Sequence, residues 1–241
     1  MERTYHKWFS PTLDRFMEML VFGRGGIPVI FFPTRSAHFY DFENWRVIEA
    51  MKEKIEAGSI QVYCVDSIDS ESFYSDAPPP LRIVRHIQYE KYILDEVIPF
   101  IRIQNKHQEL VAAGCSLGGY HAVNIALKHP ALFTKVVGMS ARYDLTQPLP
   151  FFADLFDGYF DENIYFNMPN HFVPGISDPG LLRQLREMEI TLVIGREDTF
   201  LDNNRHLSDS LHQISVPHQF YIWDDEAHRP RYWREMVKIY L

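Results

Sequence analysis

The chain has few cysteines, no run of basic residues and no long apolar segment, and each shortage excludes a class of protein. Cys64 and Cys115 are the only cysteines among 241 residues, so we expect free buried thiols rather than a disulfide scaffold. A net charge of −8 without clustered Lys or Arg argues against nucleic acid as a partner. No stretch reaches membrane-spanning length and no signal-peptide pattern opens the chain, which predicts a cytoplasmic protein that does not bind membranes. We expect no metal and no cofactor.

What the chain does contain is an alternation of strand-like and helix-like segments. This alternation predicts an α/β fold with a mostly parallel sheet and helices on both faces. Glycines at 23, 25 and 26 separate the first two strands and favour a tight reversal with an antiparallel entry. The length is typical of one domain, residues 1–241. The predicted strands are 14–22, 27–32, 60–65, 109–113, 135–139, 190–194 and 218–223, and the predicted helices are 81–100, 117–128, 203–214 and 230–240.

Residues 142–180 interrupt this rhythm with five prolines and many aromatic residues. A long irregular segment that carries so much apolar surface is typical of a binding lid, although a surface loop packed by its own aromatics fits equally well. As a lid, it would bring Phe151, Phe152, Tyr159 and Phe160 over a substrate cleft.

The segment Gly114-Cys115-Ser116-Leu117-Gly118 lies between an apolar run and a helical pattern. A Gly-X-Ser-X-Gly core at that place indicates a strained strand-to-helix turn that presents the serine to a cleft. The two glycines have a steric reason, since a side chain at either would collide with the neighbouring strand or helix. Ser116 is therefore the candidate nucleophile.

A serine hydroxyl needs a base to remove its proton and a carboxylate to orient that base. In the chain order associated with this turn, the acid and then the histidine follow the serine on loops at the carboxyl edge of the sheet. His206 and His212 lie in a helical pattern and His218 opens a strand. We therefore predict His228, in the loop after the last strand, as the base.

Asp198 is the preferred acid because it follows the strand that ends at Ile194. Asp202 is the main alternative, although it stands where it could simply cap a helix. Three further acids stay open: Glu197, Asp224 and Asp225. His121 is close to Ser116 in sequence, but its place on the elbow helix favours a packed or surface role.

Acyl transfer also requires hydrogen-bond donors for the oxyanion, usually the N–H after the nucleophile and one from the loop after an early strand. Leu117 would supply the first. Thr34 or Arg35 would supply the second, because Pro33 has no N–H.

These motifs resemble the α/β-hydrolase superfamily and, within it, the putative-esterase branch that includes esterase D, feruloyl esterases and mycolyltransferases. The resemblance spans nearly the whole chain and depends on 31–34, 114–119, 195–198 and the ending 227–233. It implies the α/β-hydrolase fold and Ser-Asp-His chemistry. Pro33-Thr34 stands where relatives often carry His-Gly, and Ala227-His228-Arg229 stands where they carry Gly-His-Asp.

Three functions fit this reading. The first is a serine esterase that cleaves a small-molecule carboxylic ester through an acyl-enzyme on Ser116. The second is an acyltransferase that uses the same residues with an alcohol or sugar as acceptor. The third is a non-catalytic protein of the hydrolase fold that binds a ligand or partner through its aromatic segment. A homo-oligomer is also open, because exposed aromatics can cover a neighbouring subunit.

Overall fold

A computed structural model describes all residues, 1–241, and its centre is one eight-stranded sheet. The strand order is β1-β2-β4-β3-β5-β6-β7-β8; β1 pairs with β2 and β2 with β4 antiparallel, and every other pair is parallel. The predicted α/β-hydrolase architecture with an antiparallel entry is confirmed. The strands are β1 (Arg3–Ser10), β2 (Arg15–Phe22), β3 (Ile27–Phe32), β4 (Ile60–Val65), β5 (Val111–Cys115), β6 (Lys135–Met139), β7 (Glu189–Gly195) and β8 (Gln219–Trp223).

The antiparallel entry differs from the expected one in its pairing. The sequence suggested a reversal of β2 directly onto β3, but β4 lies between these two strands and β1, which was not predicted, pairs with β2 instead. Two of the three glycines at the β2–β3 turn, Gly23 and Gly26, lie where a Cβ would be crowded, whereas Gly25 has open space. Gly26 has φ +94° and lies against the backbone of residues 58–60, where a Cβ would have no space. A strand pattern identifies the strand but carries no information about its partner.

Helices cover both faces of the sheet. The predicted helix 81–100 is interrupted by a π-helical turn at Ile93–Val97 and extends to Gln104. Pro99 explains the interruption, because it has no N–H to give to the carbonyl four residues earlier. The α-helices are α1 (Asp41–Asn44), α2 (Val47–Ala50), α3 (Lys52–Glu56), α4 (Pro79–Tyr92), α5 (Ile98–Gln104), α6 (Leu117–Lys128), α7 (Glu162–Tyr165), α8 (Pro169–Phe172), α9 (Pro179–Glu187), α10 (Leu201–Gln213) and α11 (Pro230–Tyr240).

The core forms one large buried cluster on each face of the sheet. A cluster of 35 residues joins the sheet to α4, α5, α6 and α10, and a cluster of 22 joins it to α1, α2, α3 and α11. A third cluster of eight buried residues lies beside α6, where it includes Leu117 and Tyr120. Because the first two clusters share one sheet, we propose that residues 1–241 are a single domain. No helix is long and apolar enough to cross a membrane.

The aromatic segment 142–180 packs onto the third cluster. Phe156, Ile164 and Met168 are fully buried there. Of the four aromatics that would cover a cleft, Phe152 lies near Phe200, with 4.6 Å between ring centroids, whereas Phe151, Tyr159 and Phe160 are exposed. The segment is therefore anchored by its own apolar residues, and one of the four expected aromatics reaches the site described below.

Candidate active site

Ser116 occupies the turn between β5 and α6 in a strained backbone conformation, with φ 56° and ψ −124°. Its neighbouring glycines have no space for a side chain. A Cβ on Gly114 would meet the backbone of Gly118, and a Cβ on Gly118 would meet the carbonyl oxygens of Phe32 and Pro33. The same close approach places the loop after β3 beside Ser116, and with it the residues expected to bind an oxyanion.

A continuous chain of hydrogen bonds joins the three predicted site residues. His228 Nε2 lies 2.9 Å from Ser116 Oγ, and His228 Nδ1 lies 2.8 Å from Asp198 Oδ2. Asp198 is buried, with 2% of its side chain exposed, and its Oδ1 accepts the N–H of Phe200 at 2.9 Å. The serine therefore faces a base whose ring is held by a fixed carboxylate, which is the arrangement that nucleophilic catalysis by serine requires.

The alternative acids lie outside this chain of hydrogen bonds. Asp202 is 93% exposed and pairs with Arg205 on the surface of α10. Asp224 is also exposed, near Arg196, and Asp225 accepts a hydrogen bond from Tyr232. His121 is buried and bonded to Asp69 at 3.2 Å, so it is packed in the core as its helical position suggested.

Hydrogen bonds with a buried serine, Ser140, stabilise the loop that carries His228. Ser140 Oγ donates to the carbonyl oxygen of Ala227 at 2.8 Å and accepts the indole N–H of Trp233 at 3.2 Å. Ala227 is fully buried with φ 50°, a conformation that favours glycine, and its carbonyl bond to Ser140 stabilises that turn. The contact fixes the backbone next to the predicted base.

Ser116 opens into a cleft of about 200 Å³. Its walls include side chains from loops at the carboxyl ends of several strands, where ligands bind in open α/β sheets. A groove of about 680 Å³ elsewhere on the surface is lined almost entirely by charged residues and contains none of the predicted site residues. Besides Ser116, Leu117 and His228, the cleft is lined by Arg35, Tyr74, Arg142, Leu145, Phe152 and Phe200.

The backbone N–H groups that could bind an oxyanion are free. Those of Leu117, Thr34 and Arg35 donate to no group of the chain. Leu117 and Arg35 line the cleft. Thr34, the residue before Arg35, is buried, and its carbonyl oxygen accepts the N–H of Ala37 in a turn. The choice between Thr34 and Arg35 therefore stays a proposal.

Two further groups bear on the chemistry of the site. Burial raises the pKa of the Cys115 thiol well above its usual value, so the thiol next to Ser116 stays protonated and is a poor nucleophile. No cluster of three or more His, Cys, Asp or Glu side chains could hold a metal ion.

Sequence reasoning missed five residues of the site: Tyr74, Ser140, Arg142, Leu145 and Phe200. Ser140 and Arg142 follow β6 directly, and the rule that located Asp198 after β7 applies equally to them. Tyr74 and Phe200 lie nine and five residues beyond their strands, where the course of the loop decides which side chain reaches the cleft, and local sequence does not specify that course.

The fold and the serine at its elbow define the chain as an α/β-hydrolase. A family model described as "Putative esterase" matches residues 23–215, and the chain belongs to that family. It is accordingly an esterase. The predicted family resemblance is confirmed. No curated protein sequence gives a significant match.

Solved structures show the same fold at low sequence identity. A ferulic acid esterase is 19% identical with a TM-score of 0.77, and the alignment covers 98% of this chain and 95% of that one. An S-formylglutathione hydrolase from Agrobacterium tumefaciens is 17% identical with a TM-score of 0.74, covering 98% and 91%. A fluorophosphonate-binding serine hydrolase of Staphylococcus aureus, solved with substrate bound, is 18% identical with a TM-score of 0.72, covering 98% and 95%.

Proposed function

We propose that Ser116, His228 and Asp198 form a catalytic triad that hydrolyses carboxylic esters through an acyl-enzyme. The observation that carries this proposal is the hydrogen-bond chain from Ser116 Oγ through His228 to the buried carboxylate of Asp198. In this arrangement Asp198 holds Nδ1–H of His228, so Nε2 presents its lone pair to the serine hydroxyl.

In the first half of the reaction Ser116 Oγ attacks the ester carbonyl while its proton moves to His228 Nε2. The tetrahedral intermediate then collapses, the bond to the alcohol oxygen breaks, and His228 returns the proton to the departing alcohol. In the second half, water attacks the acyl-serine, again losing its proton to His228, and the collapse releases the acid and restores Ser116. Asp198 stabilises the imidazolium that forms in each half.

In the tetrahedral intermediate, the oxygen of the former ester carbonyl carries a negative charge. Two hydrogen-bond donors beside Ser116 are required to stabilise it. The Leu117 N–H, at the first residue of α6, serves as one, and the free N–H of Thr34 or Arg35 serves as the other. Removing such a donor typically lowers kcat by about 10²–10³-fold.

A small-molecule ester is the substrate class that fits the cleft. The volume of about 200 Å³ admits a short acyl or aryl group, and Phe152, Leu145 and Phe200 give it apolar walls. Among the similar structures, the ferulic acid esterase is named for a carboxylic ester and the S-formylglutathione hydrolase is named for a thioester. Residues 142–180 supply Phe152 and Leu145 and so form a wall of the cleft rather than a separate unit.

Short-chain 4-nitrophenyl esters test this function directly. We expect the native chain to hydrolyse 4-nitrophenyl acetate or butyrate, and Ser116→Ala to lower kcat by at least about 10⁴-fold, because the nucleophile is removed. Ser70→Ala is the matched control, since Ser70 is exposed and makes no side-chain hydrogen bond. Equal rates for Ser116→Ala and the native chain would disprove the mechanism.

A further inference from the structure

Two arginines on the cleft wall have guanidinium nitrogens without an anionic partner. Arg142 is 5% exposed, yet it forms no ion pair. Its Nε and Nη2 donate to the carbonyl oxygens of residues 144, 145, 147 and 153, and these bonds fix the guanidinium in place. Its Nη1 donates to no group of the chain. Burial lowers the pKa of Arg142, although the nearby Tyr74, Asp144 and Asp154 act in the opposite direction.

Arg35 lies on the loop after β3 and lines the same cleft. Its guanidinium lies over the ring of Tyr74, 5.3 Å from the centroid, and it also makes no ion pair. The aromatic ring holds the cation through its negative face and leaves the N–H groups free to bind elsewhere. Two cationic side chains therefore face one small cavity that also contains Ser116 and His228.

No carboxylate lines this cleft, and the nearest acids are engaged elsewhere. Asp198 is bonded to His228, Asp144 to His171 and Thr146, and Asp69 to His121. Arg142 differs from the other arginines without an ion pair on the chain surface, such as Arg183, because it is buried. Arg142 is more than nine-tenths buried and has lost hydration, and its carbonyl partners supply no opposite charge to offset that loss.

We propose that the preferred substrate of this esterase carries an anionic group, such as a carboxylate, which binds the guanidinium groups of Arg142 and Arg35. This inference depends on the proposed function, since it concerns the substrate of the same site. The guanidinium of Arg35 can present parallel N–H groups that match a carboxylate in geometry, and Arg142 offers its free Nη1, where burial strengthens the attraction. The anion can belong to the acyl part of the ester or to its alcohol part, and both place a negative charge beside Ser116.

Two pairs of esters, each a free carboxylate and its methyl ester, test the proposal and separate these sources. For the acyl side, the mono-4-nitrophenyl ester of adipic acid is compared with its methyl-capped diester. For the alcohol side, 4-acetoxybenzoate is compared with its methyl ester. We expect kcat/KM to favour the anionic member of one pair by about tenfold or more, because a charge-assisted hydrogen bond is gained. Added NaCl should reduce this preference.

Variants assign the preference to the arginines. Arg35→Gln and Arg142→Gln should each lower the anionic-to-neutral ratio severalfold, mainly through KM for the anionic ester, whereas Arg35→Lys should restore much of it. Arg183→Gln is the matched control, because Arg183 is exposed on α9 and forms no ion pair. If Arg142→Gln disturbs the loop whose carbonyl oxygens Arg142 binds, the ratio measured for Arg35→Gln still tests the proposal.

The outcomes separate the two proposals. If both ester pairs are hydrolysed with ratios near one, or if the ratio is unchanged in both glutamine variants, the anionic substrate is wrong and the esterase mechanism stands. If no ester is turned over and Ser116→Ala behaves as the native chain does, the proposed function itself is wrong.

Discussion

At the scale of single residues, the burial of one carboxylate distinguishes the candidate acids. Asp198 and Asp202 are four positions apart, and sequence reasoning preferred Asp198 because it directly follows a strand. In the structure Asp198 is 2% exposed and bonded to His228, whereas Asp202 is 93% exposed on a helix surface. A carboxylate that must hold a histidine tautomer has to be fixed and shielded, and only Asp198 meets both conditions.

The Asp198→Asn substitution should lower kcat by about 10⁴-fold with little change in stability, because an amide can hold His228 in the wrong tautomer. Asp202→Asn removes the same charge four residues away and should leave kcat unchanged. Steady-state kinetics on a 4-nitrophenyl ester make the comparison. A large loss in Asp202→Asn with a small one in Asp198→Asn would assign the acid to Asp202 instead.

Ser140 is expected to act through the backbone of the His228 loop. In Ser140→Ala, the carbonyl of Ala227 and the indole N–H of Trp233 would lose their shared partner while they stay buried. Each unsatisfied buried group costs about 1–3 kcal/mol, so urea unfolding should show a loss of at least that size. Ser70→Ala provides the reference, with a change within about 0.5 kcal/mol. An unchanged unfolding midpoint in Ser140→Ala would contradict this role.

At the scale of elements, the elbow depends on how closely α6 approaches the end of β3. Gly118 has the carbonyls of Phe32 and Pro33 where its Cβ would be, so the helix can reach the strand only with glycine at that position. This contact brings the residues after β3 to Ser116. A local sequence motif therefore encodes a long-range contact, which is why the elbow could be identified before the structure was known.

Gly118→Ala should both destabilise the fold, by about 1–3 kcal/mol or more, and lower activity, because the added methyl displaces β3 or α6. Gly25→Ala is the matched control: its Cβ would have no heavy atom within 4 Å, and we expect neither property to change. Thermal unfolding and ester hydrolysis of the two variants provide the measurement. Native-like behaviour of Gly118→Ala would mean that the elbow tolerates a side chain.

Much of the element structure was predictable because most strands are continuous apolar runs between glycines and helical patterns. The bounds of β3, β4, β6, α6 and α11 agree with the prediction. β1 was missed because its residues mix polar and aromatic side chains without an apolar run and are mostly exposed. The position of β4 between β2 and β3 could not be predicted, since strand order depends on tertiary packing that a single sequence does not reveal.

At the scale of the whole molecule, a largely buried glutamate links two helices of the larger core and makes stability depend on pH. Glu90 on α4 is bonded to Lys128 at 2.8 Å and to His129 at 3.3 Å, at the end of α6. Burial alone would raise the pKa of Glu90, but the hydrogen bonds and the charges around it outweigh burial and lower the pKa to about 2.

Between pH 4.5 and pH 2 the unfolded chain therefore binds a proton at this residue while the folded chain does not. Stability from Glu90 is fully present above pH 4.5 and is lost as the pH falls toward 2, by up to about 3 kcal/mol. Urea unfolding at a series of pH values should show a shallower acid slope in Glu90→Gln than in Glu109→Gln, where the glutamate is exposed and unpaired. Identical slopes would contradict the assignment.

The candidate site was predictable to the extent that its residues follow strand ends. Ser116, Asp198 and His228 each follow a strand, and the sheet brings the three loops together. Tyr74 entered the cleft through a loop conformation that the sequence does not specify. Arg142 follows β6 as Asp198 follows β7, so the same rule could have found it.

The central claim is that Ser116 is the nucleophile of this esterase, and covalent labelling tests it most directly. A fluorophosphonate probe should react with the folded native chain, and mass spectrometry of peptides should find the adduct on Ser116. His228→Ala should slow the reaction greatly, because the base that accepts the serine proton is gone. An adduct on another residue, or labelling at the native rate in Ser116→Ala, would contradict the account.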